Sequence, residues 1–477
     1  MRPFSMSYIR GSDRDQASFL PARIEEYVSP DSSVRVIEAF VTGLDLAKLG
    51  FVRAVPAVTG RPGYDPGDLL KLYVYGYLNE IRSSRRLERE CRRNVELMWL
   101  LGRLAPDFKT IADFRRDNGA GIVGACRAFV LFCREQGLFS ARLIALDGSK
   151  FRAVSSAKRI MGRQRIADET ARIDQRIAAY LAELDAEDAT EPDNGGAKRT
   201  MAALTALRMR RGELNKLAAR LEAEHRTTLV EGEPEARPMG KGSGRKPPSY
   251  NLQTAVDAGA GLIVHHEVTA EPTDNRLLYP MAKATKEALG ADALTVVADA
   301  GYSNGTDAAA CEADAITPCA PANRAINNQG DGTLFDRSAF TYDKERDLYR
   351  CPADRVLLRK QLHRDSMSVI YAATECSGCV LKPRCTTAKR RIVTRHLHDD
   401  ALNRMNARVV VDPTLMRARR CAAEHPFGTI KRMTAGGRFL TRGLDKVKAE
   451  AALSVLAYNI LRVVNLIGAP RLAATLP

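Results

Sequence analysis

The chain has 477 residues and a formal net charge of +16, from 73 Lys+Arg against 57 Asp+Glu. At roughly 150 residues per domain this length suggests about three domains, and a hydrophobic content of 45% is enough for a core, which excludes general disorder. The balance of charge favours a polyanionic partner, nucleic acid ahead of membrane, over a basic protein with no such partner.

No apolar run reaches the ~18 residues of a membrane span; the longest, Leu453 to Ala469, is broken by Asn459, Arg462 and Asn465. Residues 1–16 lack the apolar stretch of a signal peptide. Ten cysteines are too few for a disulfide scaffold, which places the chain in a reducing cytoplasm, where clustered cysteines more often bind metal.

Residues 1–140 read as a helical domain. Asp31 precedes the periodic run Val34, Ile37, Phe40, Val41, Leu44, and Pro66 opens a second with Leu69, Leu70, Leu72, Tyr73 and Tyr77. Arg82, Arg85 and Arg86 follow it, and a third run starts after Thr110. Short helices with Arg-rich ends suit a DNA-binding bundle, with Arg82 and Arg85 as phosphate contacts; a plain packing domain is the alternative. A short strand, Leu143 to Leu146, is expected to end at Asp147. Residues 157–245 read as a helical hairpin, a coiled-coil arm broken at 191–196, and a Gly/Lys/Pro linker from Met239 to Pro248.

Strands resume as a hairpin, Tyr250–Val256 and Leu262–Val268. A helix over Asn275–Leu289 and a strand over Leu294–Ala298 ending at Asp299 come next. A helix near Asp307–Ala313 and a strand near Ile316 follow, then a loop-rich, cysteine-containing insert at 325–400 and helices near 413–432 and 445–466, where Pro426 and Gly428 should bend or interrupt the first. With both inserts lifted out, segments 141–156, 246–324 and 401–477 read strand, strand, strand, helix, strand, helix, strand, helices. That is the order of an RNase H-like α/β fold, a mixed sheet flanked by helices, in which one carboxylate lies on the first strand, one after the fourth and one on a late helix. Asp147, Asp299 and Glu424 occupy those places, and strand ends are where ligand sites favour side chains.

The chemistry fits the set. Hard divalent cations such as Mg²⁺ (or Mn²⁺) take oxygen ligands, and metal ions held by carboxylates can activate the attacking and leaving oxygens of a phosphoryl displacement. Arg420, Glu424 and Lys431 fall on one helix face, two cations beside an acid, suited to phosphates. Lys150 is a further phosphate contact. Asp257 is a candidate outer acid, and Asp274 reads as the cap of the helix from Asn275. The charge is split: Leu381 to Lys448 holds 17 Lys+Arg against 5 Asp+Glu, whereas Asn251 to Gly330 holds 4 against 10. Cations gathered near carboxylates are what a nuclease-type centre needs.

Several spaced motifs resemble bacterial insertion-sequence transposases of the DDE type over nearly the whole chain: Leu146-Asp147-Gly148-Ser149, Tyr250 to Asp257, Ala298-Asp299-Ala300-Gly301-Tyr302-Ser303, Arg420-x3-Glu424-x6-Lys431 with Phe427-Gly428, and Ala457-Tyr458-Asn459. Tyr64-Asp65-Pro66, Tyr75-Gly76-Tyr77, Arg82-Ser83-Ser84-Arg85 and Pro106-Asp107 with Thr110-Ile111 and Phe114-Arg115 resemble their helical DNA-binding region. The resemblance implies metal-dependent cleavage and strand transfer of double-stranded DNA, a DDE triad of Asp147, Asp299 and Glu424, a homodimer or larger assembly at the paired ends, a nucleoid-associated cytoplasmic location and no membrane. Arg417 stands where many relatives carry Tyr. A nuclease or resolvase without strand transfer, or a non-catalytic DNA-binding relative, are the rival readings.

Cys351, Cys376, Cys379 and Cys385 have a spacing suited to a tetrahedral structural zinc ion; a [4Fe–4S] cluster and unliganded thiols are the other readings. Cys91, Cys126, Cys133, Cys311, Cys319 and Cys421 read as core residues.

Overall fold

The computed structural model describes residues 23–56, 62–187, 196–240, 244, 246–322 and 334–476. The expected absence of a signal peptide at 1–16, most of the break at 191–196, part of the linker after Met239 and the start of the cysteine insert fall outside the described residues.

The N-terminal part is helical: α1 (Ser33–Thr42), α2 (Pro66–Leu78), α3 (Ser84–Cys91), α4 (Val95–Leu100), α5 (Phe108–Asp117) and α6 (Gly119–Glu135). Their starts are written in the sequence. Asp65 caps α2 by accepting from the Gly67 N–H at 2.6 Å, with Pro66 in the first turn, where its missing N–H costs nothing. Asp107 accepts from the N–H groups of Lys109 and Thr110 at the start of α5.

Then comes β1 (Ile144–Arg152), which runs well past Asp147, where it was expected to end. The reason is its neighbour β5 (Pro248–Asp257): backbone pairing continues from Ile144 opposite Asp257 to Arg152 opposite Ser249, so Gly148 and Ser149 stay extended. Between these strands lie β2 (Ile160–Gly162), α7 (Arg163–Glu187), α8 (Gly196–Ala223), β3 (Thr228–Val230) and β4 (Arg237–Pro238); α7 packs on α8. The chain continues through β5 (Pro248–Asp257), β6 (Ile263–Thr269), α9 (Leu278–Leu289), β7 (Leu294–Val297), α10 (Gly305–Ala313) and β8 (Ile316–Cys319). In space the main sheet runs β6-β5-β1-β7-β8, with β4 also on β5; β5 is antiparallel to β1 and β6, and β1, β7 and β8 are parallel.

The cysteine insert holds more strand than expected, although Cys376, Cys379 and Cys385 lie in a loop, residues 374–391. It forms a five-stranded antiparallel sheet of β9 (Thr341–Asp343), β10 (Leu348–Arg350), β11 (Val356–His363), β12 (Ser368–Ala373) and β13 (Ile392–His396). These strands are mostly short, and β11, exposed along most of its length, shows little of the apolar alternation by which a strand is recognised in sequence. The helices α11 (Asp399–Val411), α12 (Thr414–Met433), α13 (Leu444–Ile467) and α14 (Ala469–Thr475) close the chain. The α12 helix passes Pro426 without interruption; its ring is buried against the core.

Side-chain alternation gives the main sheet two distinct faces. Ile144, Leu146, Ala255 and Val296 face a cluster with Leu278, Met281, Ala308, Cys311 and Met405, from α9, α10 and α11. Ala145, Phe151, Leu252 and Val297 face the larger cluster, shared by α12, α13 and the N-terminal helices. The α13 helix packs on α2, α6 and β6. It is the one helix among the described residues long and apolar enough to cross a membrane, and 67% of that stretch is buried within the protein. Asn459 on α13 bonds both the N–H and the C=O of Ile263, and the Tyr458 hydroxyl donates to the Gly261 carbonyl. The helix thus completes the hydrogen bonding of the β5–β6 hairpin.

Candidate active site

Parallel pairing of Ala145 with Val297 sets Asp147 and Asp299 at neighbouring positions, one within β1 and one just beyond β7. Asp299 starts a single helical turn, accepting from the Gly301 N–H at 2.8 Å. A single guanidinium joins the two acids: Arg419 Nη2 lies 2.7 Å from Asp147 Oδ1 and 3.4 Å from Asp299 Oδ2. Arg419 comes from α12, on the same side as Ala423, Pro426 and Ile430, the face turned to the sheet. Its Nε is buried and finds no partner among the described residues.

Asp147 is largely covered, and burial is the main force raising its carboxyl above the usual range. Arg419 and the Gly148 N–H act against that, while Asp299 and Asp274 add to it. A cation between the two acids therefore offsets a real electrostatic cost.

Glu424 is on α12 too, but five residues beyond Arg419 it projects about 140° away around the helix. It is exposed and makes no hydrogen bond or ion pair among the described residues. Arg420 is exposed and Lys431 half-buried on that side, with no ion pair among the described residues. Arg417, in place of Tyr, is exposed as well. Among the described residues, no three His, Cys, Asp or Glu side chains stand so as to hold a metal ion. The structure thus brings Asp147 and Asp299 together and leaves Glu424 apart on the helix that contacts both.

On the other face of β1, a polar network surrounds Asp274. Its Oδ1 accepts from Lys150 Nζ at 3.2 Å, Asn251 Nδ2 at 2.7 Å and Gln253 Nε2 at 2.7 Å. The buried Tyr302 hydroxyl donates to Gln253 Oε1, and burial together with the nearby acids pushes that phenol well above its ordinary range. Gly148 makes room for this: a Cβ there would come within 2.1 Å of Gln253 Nε2 and 2.8 Å of Asp274 Oδ1.

Several expectations are corrected. Asp274 caps no helix, because α9 begins only at Leu278 and its cap position, Leu277, makes no side-chain bond. Asp257 is not an outer acid of this centre: it lies three residues along β5 from Thr254, the partner of Asp147, and its oxygens are filled by Ser140, Ala141, Gly259 and Ala260. Arg82 is buried and donates to Glu450 and to the Arg438 carbonyl, so it is not a free phosphate contact. Lys150 leaves the face of β1 opposite to Asp147 and is tied to Asp274. Arg85 remains exposed, its guanidinium 4.8 Å from the centre of the Phe108 ring. Cys421 is exposed on α12, while Cys91, Cys126, Cys133, Cys311 and Cys319 are buried.

Arg419, Asn251 and Gln253 were missed, though each left a sign in the sequence. Arg419 is a charge on the apolar stripe of α12, and Asn251 and Gln253 are polar at alternate positions of a strand whose every residue is buried. A buried polar residue at such a position needs a partner.

Two family models match the chain. A transposase domain (DUF772) covers residues 22–117, and a transposase DDE domain covers 350–464. Together they support an insertion-sequence DDE transposase. The second match takes in the four insert cysteines, Arg420, Glu424 and Lys431, while Asp147 and Asp299 lie between the two matches. No curated protein and no solved structure matches.

Proposed function

We propose that the chain cleaves double-stranded DNA at insertion-sequence ends and transfers the freed 3′ end into target DNA, with Asp147, Asp299 and Glu424 as its DDE triad on an RNase H-like sheet. The observation that carries this reading is the convergence of Asp147 and Asp299, distant in sequence, on one cation. The strand order, with β5 antiparallel to β1, β4 and β6 and with β1, β7 and β8 parallel, and the two family matches support it.

Three carboxylates are a hard oxygen donor set of the kind Mg²⁺ or Mn²⁺ requires, and the two aspartates already accept positive charge between them. Such an ion, when bound, supplies Lewis-acid stabilisation of the phosphate and a more acidic water. The chain's own residues do the rest. Asp147 and Asp299 hold negative charge on a rigid sheet, and Gly148 and Asp274 keep the strand around them fixed. Arg420, Lys431 and Arg85 supply cations to DNA phosphates. The liberated 3′ hydroxyl serves as the second nucleophile, so no covalent protein intermediate is required. Glu424 would complete the donor set from the same helix that now places Arg419 between the aspartates. Two DNA ends held together call for a dimer or a larger assembly, for which the α7–α8 arm is a candidate contact.

The test is incubation of the full chain with a labelled end fragment, Mg²⁺ and target plasmid. Joined products are expected. Nicks without joining would make it a nuclease, and binding without cleavage a non-catalytic relative. Retained cleavage in Asp147→Ala, Asp299→Ala and Glu424→Ala would overturn the triad.

A further inference from the structure

We propose that Cys351, Cys376, Cys379 and Cys385 bind one structural zinc ion as thiolates, stapling the 374–391 loop to the second sheet. The four come from separate places: Cys351 just after β10, Cys376 and Cys379 in the loop after β12, and Cys385 at the end of a single turn, Lys382–Arg384. All four line one cavity of about 20 Å³, together with Arg355, Lys382 and Arg391. That is room for one water-sized body or ion.

The backbone around the sulfurs is arranged as around thiolates. The Arg355 N–H points at Cys351 Sγ at 3.3 Å, and the Arg391 N–H at Cys376 Sγ at 3.5 Å. Backbone donors to sulfur are the outer-shell contacts that orient thiolate ligands on a metal. Gly378, between Cys376 and Cys379, has φ +66°, a left-handed turn that lets the chain reverse there. The contrast with the other cysteines is informative: five of those are buried in helices or strands and Cys421 is exposed on α12, whereas these four surround a common space. As they stand, the sulfurs ring the cavity without converging on one point, and binding draws them inward with release of their protons.

The fold supplies the need. The second sheet has a small core of its own, Phe340, Tyr349, Leu357, Val369, Tyr371, Ala373, Cys385 and Val393. Cores this small are commonly completed by a metal or disulfides. Four sulfur donors with no open position are a structural rather than a catalytic zinc set.

The test uses the full chain, purified without chelator or metal-affinity resin, with zinc and iron measured by mass spectrometry. The expected result is one zinc per chain, lost at least tenfold in Cys376→Ser and Cys379→Ser and retained in Cys421→Ser. Cobalt-exchanged wild-type protein, which requires no variant to fold, should show thiolate-to-cobalt charge transfer and tetrahedral d–d bands. Zinc removal should open the 382–391 segment, with its Lys and Arg residues, to trypsin. Substoichiometric zinc in wild-type protein, iron in its place, cobalt spectra without sulfur ligation, or zinc retained by Cys376→Ser would each overturn the proposal.

Discussion

Replacing Arg419 by Met should make the candidate centre bind divalent cations more tightly. Arg419 reaches Asp147 at 2.7 Å and Asp299 at 3.4 Å, with only 13% of its side chain exposed, against 19% for Asp147. At such separations an ion pair gains about 4 kcal/mol at an effective dielectric near 20. Desolvation of both partners takes back much of this, leaving about 1–3 kcal/mol. The unpartnered Nε of Arg419 pulls the figure toward the lower end. A metal ion entering between the aspartates must first displace that guanidinium, so removing it should tighten binding by roughly tenfold to a hundredfold. Free Mn²⁺ measured by electron paramagnetic resonance during titration of the full chain reads this directly, with Asp147→Asn as the variant that must weaken binding. Met retains the length that packs under the sheet, so the change is mainly one of charge. Equal or weaker Mn²⁺ binding in Arg419→Met would refute the view that this side chain occupies a cation's place, and would mark it instead as the residue that organises the acid pair.

Other outcomes follow from the same structure. Gly148→Ala puts a methyl group into the Gln253–Asp274 contact and should cost about 1–3 kcal/mol in denaturant unfolding, with strand cleavage falling further than stability. Arg82→Met should destabilise by about 3 kcal/mol, because Glu450, 0% exposed, keeps its bonds from Leu440 and Thr441 but loses its countercharge; DNA affinity should be unchanged. Lys431→Ala should do the reverse, leaving stability intact while weakening DNA binding and reducing its salt slope by about 1. The His266 imidazole is pushed down to about 3 by burial, with His265, Arg127 and Lys448 adding to the shift. Since the folded state disfavours its protonation, its contribution is complete above the unfolded value near 6.5 and is lost as pH falls from there toward 3. Urea midpoints at pH 7.5 and 5 should diverge in the wild type, and the gap should narrow in His266→Gln, with His265 and His396, also held down by burial, keeping part of it.

How far the sequence reached depended on whether a residue's role was local. Asp299 was legible because an apolar run of β-branched residues announces a buried strand, and the polar residue after it must emerge at the sheet's end. The start of the helix at Pro66 was legible for a similar reason, since a proline in the first turn acts locally. The length of β1 was not, because Gly148 to Arg152 is held extended by β5, about a hundred residues later in the chain. Arg82 looked like a DNA contact among its arginine neighbours; only the fold reveals Glu450 beneath it. Asp274 was misread as a cap because nothing near it in sequence discloses that Lys150, Asn251 and Gln253 arrive from two strands. Arg419 and Arg420 are adjacent, yet the turn of α12 sends one to the acids and the other to solvent.

The α7–α8 arm enters after Gly162 and returns at Thr228, and these two residues are direct partners in the β2–β3 pair. Its points of departure and return are therefore one strand spacing apart, about 5 Å. Its apolar contacts, Met161, Ile166, Ile173, Leu214, Leu221 and Leu229, form a cluster separate from both faces of the main sheet. A tight turn could bridge the same gap without moving a strand. The arm is thus built as a detachable module: it can lengthen, shorten or exchange its surface without disturbing the register that places Asp147, and whatever selects its length acts outside the centre.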